Sequence, residues 1–384
     1  MSAATATARR LLERTGEHPV ISLFFDFDPG QFGTPPARAT QLSSLLDEAH
    51  RASRSDASLG HDDRKAVDAD LSRLESYMES DDLGLSGAKT LAVFCSAGHD
   101  LFESVALWRP VSARVVIARY PYVEPLVAGE DGERWCVTLV SRRTGRIFEG
   151  EAPRLSSAES IADHVPGRHH GGGWSQANYQ RSIDTEADQH LRHVATELYR
   201  RWQKQPFTRL ALGGPEQDVD RFAELIHNDL RRVLLAARLA LDVEAAGVTE
   251  VESAVVGLIA RESELRRCEA LVKLEERSAV GGTAALGLEA TLAALGERRA
   301  ETLVLWRNFE ARGARCHQCG LLYPEGTSTC PADGSQLEPV ADLREAAVEA
   351  AVLQDADVVV TGEGSETPPP VLVRAQGIGA LLRF

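Results

Sequence analysis

Hydrophobic and polar positions recur along this chain with two periods, and the switches between them mark its elements. Residues 18–26 (HPVISLFFD) hold an apolar run too short to cross a membrane, which reads as a buried strand. Leu42, Leu45, Leu46 and His50 follow helical spacing over 37–52, as do Val67, Leu71, Leu74 and Met78 over 62–80. Residues 89–96, 102–108 and 113–118 predict three more strands, closed by a proline-marked turn from Tyr120 to Pro125. A second block opens near Arg134 with strands WCVTLV and GRIFEG, joined by the turn Ser141 to Gly145. After a polar stretch, Ser182 is placed to cap a helix over 183–204. Its buried stripe is Ile183, Ala187, Leu191, Val194, Leu198 and Trp202. A strand over 208–213, a mostly helical stretch over 216–239 and a long helix over 250–278 follow. The third block predicts a helix over 283–296, a strand TLVLW, a helix over 341–354 and a strand over 357–361. A proline-rich turn then leads to two final strands, VLVRA and GALLRF.

This alternation predicts an α/β protein. At 384 residues, two or three domains are expected. The proline-marked edge at Tyr120 to Pro125, the strand block from Arg134 and the Gly281-Gly282 pair divide the chain into an α/β N-terminal domain over 1–130, a middle domain over 131–278 and an α/β sandwich over 279–384. No apolar run reaches the roughly 20 residues a membrane helix needs, and MSAATATARRLLERTG lacks the apolar core of a secretory signal. No membrane partner and a cytoplasmic location are therefore expected. The net charge of −15 argues against sequence-independent RNA coating. Charge is uneven, however: residues 131–204 hold 11 Lys/Arg against 10 Asp/Glu and five of the 11 histidines. A nucleic-acid contact is expected there first.

The segment Gly167-Arg168-His169-His170-Gly171-Gly172-Gly173-Trp174 cannot be a stable helix or strand interior, because consecutive glycines leave the backbone unconstrained. It reads as a basic tip mounted on the following helix, able to approach a ligand closely. A plain surface loop would share that composition. His190 and His193 lie three apart on the helix and share a face; they read as solvated residues rather than a metal pair. No phosphate-binding P-loop, dinucleotide fingerprint or Gly-x-Ser-x-Gly elbow is present.

Six cysteines fall into two sets. Cys95, Cys136 and Cys268 are scattered and read as core or near-core thiols. Cys316-His317-Gln318-Cys319-Gly320 and Cys330-Pro331-Ala332-Asp333-Gly334 form two knuckles, the pattern of a ribbon over 314–336 holding a structural zinc. Cys316, Cys319 and Cys330 supply three ligands. Asp333 stands where a fourth cysteine would be, and His317 is the alternative. A ribbon that has lost its metal and kept its fold is the other reading.

Read across ten residues, Gly172-Gly173-Trp174-Ser175-Gln176-Ala177-Asn178-Tyr179-Gln180-Arg181 resembles the Gly-Gly-Gln-Ser-x-x-Arg-Phe-x-Arg loop of archaeo-eukaryotic class-I release factors. Gly172, Gly173, Ser175 and Arg181 match, with Tyr179 for Phe. The ribbon and the ending Gly377-Ile378-Gly379-Ala380-Leu381-Leu382-Arg383-Phe384 are similar to those of the family's third domain. The first block carries no Asn-Ile-Lys-Ser stop-codon motif, which resembles the bacterial branch, related to Pelota and the hibernation factor Balon. Two positions depart: Trp174 replaces the glutamine that helps place water against peptidyl-tRNA, and Asn178 replaces the first arginine. An indole offers one N–H donor and no acceptor, so it cannot position that water. The resemblance therefore implies a three-domain, non-hydrolytic, ribosome-binding factor with a mixed-sheet middle domain, acting in hibernation or rescue. It would meet rRNA and the tRNA acceptor end through Arg168, His169, His170, Gly171, Gly172, Gly173, Trp174, Ser175, Asn178 and Arg181. A translational GTPase partner and a monomeric state go with that reading. Two alternatives stay open: a peptidyl-tRNA hydrolase using Gln176, and an RNA- or protein-binding module that has left the ribosome.

Overall fold

The computed structural model describes residues 3–27, 34–56, 59–80, 83, 88–129, 133–163, 176–280, 282–362 and 365–384. In chain order its elements are α1 (Ala3–Glu13), β1 (Val20–Asp26), α2 (Pro35–Ser55), α3 (His61–Met78), β2 (Thr90–Ser96), β3 (Leu101–Leu107), β4 (Arg114–Ala118) and α4 (Glu124–Val127). Next come β5 (Arg134–Val140), β6 (Thr144–Glu151), β7 (Ser156–Ala162), α5 (Gln176–Lys204), β8 (Arg209–Gly213), α6 (Glu216–Leu225), α7 (Asn228–Arg232), β9 (Leu234–Leu239) and α8 (Val248–Val280). The rest are β10 (Ala284–Leu286), α9 (Leu288–Gly296), β11 (Ala300–Trp306), β12 (Gly313–Cys316), β13 (Leu322–Pro324), β14 (Leu337–Val340), α10 (Leu343–Val352), β15 (Asp357–Thr361), α11 (Pro370–Arg374) and β16 (Ile378–Leu382). The fold is mixed α/β with four sheets among the described residues. These elements form two compact units, one of Met1–Asp131 with Ser263–Phe384 and one of Gly132–Glu262.

In the first unit, β3-β2-β1-β4 is an antiparallel sheet buried on both faces. Ile21, Leu23 and Phe25 pack with Leu45, Leu46, Val67, Leu71 and Leu74 of α2 and α3. Val20 and Phe24, pointing the other way, join a core shared with α1 and with Leu303, Ala347 and Val348 of the C-terminal segment. That two-sided burial is why β1 reads as an unbroken apolar run. The C-terminal sheet runs β10-β16-β11-β15, with β11 and β15 parallel and the other pairs antiparallel. The final strand needs its glycines: Gly377 has φ +88°, and a Cβ on Gly379 would come within 3.1 Å of the Ala285 carbonyl.

In the second unit, the sheet β7-β6-β5-β8-β9 packs α5 and α6 on one face through Leu191, Val194, Leu198, Val219 and Phe222. Trp135, Val137 and Leu139 face the first turns of α8 through Val251, Val255 and Leu258.

Several predicted elements differ. Residues 234–239 are a strand, not helix, and pair parallel with β8; a short apolar run has no period that separates the two, so the open sheet edge decides. Residues 284–286 are a strand on β16, so the helix before Gly296 starts later, at Leu288. VLVRA is helical, not a strand, because Pro369 and Pro370 sit at the cap and first helical position and preset helical φ. The polar residues 156–162 form β7 at the sheet edge, where one face is wet. Helix α5 is already formed at Gln176, ahead of Ser182, because 176–181 contain no glycine or proline to stop it. Cys268 is exposed on α8, not near a core, whereas Cys95 and Cys136 are buried.

Candidate functional site

Three thiols and a carboxylate converge at the small antiparallel sheet β13-β12-β14. Both turns have the same backbone. In the first, Gly320 N–H donates to the Cys316 carbonyl at 2.8 Å, and Gly320 has φ +75°. In the second, Gly334 N–H donates to the Cys330 carbonyl at 2.8 Å, again with φ +75°. This left-handed glycine after each turn is what lets two short knuckles face one point. Asp333 thus occupies in the second knuckle the place Cys319 holds in the first.

The donor atoms of Cys316, Cys319, Cys330 and Asp333 all lie within 4.8 Å of one another. Cys319 Sγ is 3.6 Å from Cys330 Sγ, and Cys316 Sγ is 3.2 Å from Asp333 Oδ2. A disulfide would bring two sulfurs to about 2.05 Å. Tetrahedral ligands on zinc–sulfur bonds of about 2.3 Å stand roughly 3.8 Å apart, so the spacing suits a shared ion. Outer hydrogen bonds are in place as well. Ser335 Oγ lies 3.1 Å from Cys316 Sγ and Tyr323 Oη 3.4 Å from Cys330 Sγ, which orients the thiols. The Ser335 hydroxyl and N–H hold the Asp333 carboxyl well below the usual carboxylate range. His317 is exposed and lies outside this cluster. Four protein ligands leave no open position, so such a site is suited to holding structure rather than to chemistry.

The glycine tip is the second site. Arg168, His169, His170, Gly171, Gly172, Gly173, Trp174 and Ser175 lie outside the described residues. The backbone of Gln176, Asn178 and Arg181 forms the first turns of α5. The described residues that flank the tip in sequence do meet one another. β7 ends at Ala162, and Asp163 N–H donates to the Arg143 carbonyl at 3.1 Å. From there the Asp163 carboxylate reaches across to α5, meeting His190 Nδ1 at 2.7 Å and His193 Nδ1 at 3.2 Å. His190 therefore corrects the reading of both histidines as solvated: its side chain is fully buried, and only His193 is exposed. The hydrogen bond from His190, then that from His193, holds the Asp163 carboxyl below its ordinary value. Position 190 lies three after Ala187 and four before Val194, so helical periodicity alone places it on the buried face. Asp163 carried no such signal, because it is recognisable only once β7 is placed beside α5.

Residues 121–258 match bacterial archaeo-eukaryotic release factor family 10. The matched segment spans the loop signature at 172–181, β5 to β9 and the start of α8. Peptide chain release factor subunit 1 of Methanopyrus kandleri is 24% identical over 205 residues, covering 52% of this chain and 50% of that protein. Its counterpart from Aeropyrum pernix is 26% identical over 207 residues, covering 50% and 53%. The chain thus spans about half the length of these curated relatives. Among solved structures, Archaeoglobus fulgidus Pelota is similar at 14% identity, covering 77% of this chain and 79% of that one, with a TM-score of 0.34.

Proposed function

We propose that this protein is a ribosome-binding translation factor that does not cut peptidyl-tRNA and acts in ribosome hibernation or rescue of stalled ribosomes. One observation carries the reading: a release-factor segment retains Gly172, Gly173, Ser175 and Arg181 but has Trp174 in place of the glutamine. Loss of the water-positioning amide with retention of the glycine approach separates binding from hydrolysis. Arg168, His169, His170 and Arg181 contact phosphates of rRNA or tRNA. Trp174 stacks on a base or the terminal adenosine, worth about 1–3 kcal/mol per base. The Cys316, Cys319, Cys330 and Asp333 cluster holds a structural zinc, and the region over 279–384 docks a translational GTPase. The protein works as a cytoplasmic monomer whose functional parts are 1–130, 131–278 and 279–384. No described helix is long and apolar enough to cross a membrane.

The test is sedimentation of the purified protein with vacant and translating ribosomes at two salt concentrations, beside a Gly172→Val/Arg181→Ala variant. Pelleting that the variant loses is the expected result. Absence of pelleting in every state refutes the ribosomal reading. A peptide-release assay with the same ribosomes separates the two enzymatic outcomes. Release that disappears in Gln176→Ala would make the protein a hydrolase.

A further inference from the structure

A cleft of about 550 Å³ opens in the unit made of residues 1–131 and 263–384. Its floor is an ion pair: Arg344, buried, donates to Glu124 Oε1 at 2.7 Å and to the Trp306 carbonyl at 2.7 Å. That pair is internally satisfied and offers a ligand little. The rim is different. Arg114 donates to the Tyr122 hydroxyl at 2.8 Å and lies over its ring. Among the described residues, Arg307 reaches only the Asn308 side-chain oxygen and the Gly362 carbonyl. Arg312 makes no hydrogen bond or ion pair among the described residues. All three rim arginines are exposed and line one cavity, with no described carboxylate in ion-pair reach. In a chain of net charge −15, such a group of unneutralised guanidinium ions opposes the general field.

Two acids complete the rim. Glu310 is exposed, and Asp342 uses one oxygen to accept the Glu345 N–H at 3.0 Å as a helix cap. A bare polyanion would be repelled by both. A ligand that carries phosphates at one end and hydroxyl donors at the other satisfies the whole ring. The volume falls within the range of about 300–1,000 Å³ typical of small-molecule sites. Guanidinium forks match phosphate oxygens in bidentate fashion.

We propose that this cleft binds a nucleotide, with its phosphates on Arg114, Arg307 and Arg312 and its ribose hydroxyls donating to Glu310 and Asp342. The bound nucleotide bridges the segment 114–124 to the segment 307–342. This site is separate from the glycine tip and does not depend on the ribosomal reading.

Isothermal titration of the full-length protein with ADP, ATP and GTP in magnesium, and with pyrophosphate, tests it. The comparison proteins are Arg307→Ala/Arg312→Ala and, as a distant control, Arg232→Ala. Two charged hydrogen-bond partners are removed in the first, so its affinity falls by about 100-fold or more, while the control is unchanged. The two arginines are exposed, so the variant's thermal unfolding matches the parent's, which separates a lost site from a lost fold. Three results would overturn the proposal: no heat with any nucleotide at millimolar concentration, binding retained by the double variant, or pyrophosphate binding as tightly as the nucleotides.

Discussion

Replacing Arg344 by Leu isolates the buried ion pair that ties the N-terminal segment to α10. Arg344 exposes 9% of its side chain and Glu124 13%. The guanidinium donates to the Glu124 carboxylate and also to the carbonyls of Trp306, Arg307 and Phe309 at 2.7, 3.1 and 3.2 Å. Removing it strands one nearly buried carboxylate without a partner, a loss of about 3–5 kcal/mol. Glu124→Leu strands the guanidinium instead, but the three carbonyls still neutralise part of its donor demand, so the loss is smaller. In Arg344→Leu/Glu124→Leu no charge is stranded; the Trp306 carbonyl still accepts the Phe309 N–H at 2.9 Å, and the residual cost is that of the Arg307 and Phe309 carbonyls losing a donor, about 1–3 kcal/mol. The double variant is therefore more stable than Arg344→Leu alone. Urea unfolding followed by far-ultraviolet circular dichroism measures all four proteins. At a slope of about 2–3 kcal/mol per molar, the Arg344→Leu midpoint moves down by roughly 1–2 M. An Arg344→Leu loss below about 1 kcal/mol, or a double variant whose loss equals the sum of the singles, would refute the reasoning, because independent sites add.

Three further outcomes follow from the geometry. Purified protein carries stoichiometric zinc by plasma emission spectroscopy, and Cys330→Ser loses both the metal and part of the thermal stability; metal retained in that variant would exclude the cluster as its ligand set. Burial pushes the Cys95 thiol up to about 12 and raises that of Cys136 too, so in native protein at mild alkaline pH a thiol reagent labels the exposed Cys268 and spares these two, as peptide mapping would read. The Asp163 carboxyl is held below its unfolded value of about 3.9, so its stabilisation is present above that pH and is lost as pH falls through the lowered folded value. The melting gap between wild type and Asp163→Asn then stays open at neutral pH and closes in acid; a gap that widened on acidification would contradict the sign.

The sequence by itself determined whatever local chemistry dictates. Periodic apolar stripes specified α2, α3 and the 183–204 part of α5, because a helix buries one face whatever it packs against. Cys316, Cys319 and Cys330 could be grouped before any fold was known, since two knuckles of fixed spacing close on themselves through their own glycines. The signature over 172–181 is contiguous, so the departure at Trp174 needs no fold to be noticed. Tertiary structure decided what depends on a distant partner. LLAARL became a strand because β8 presented an edge, and VLVRA a helix because prolines outweighed its apolar run. Asp163 gained meaning only when β7 came beside His190 of α5. Arg114 and Arg312 share a cleft, though almost two hundred residues apart in sequence, because the N-terminal and C-terminal segments bury one continuous core. That core follows from side-chain complementarity across the fold, which no local pattern encodes.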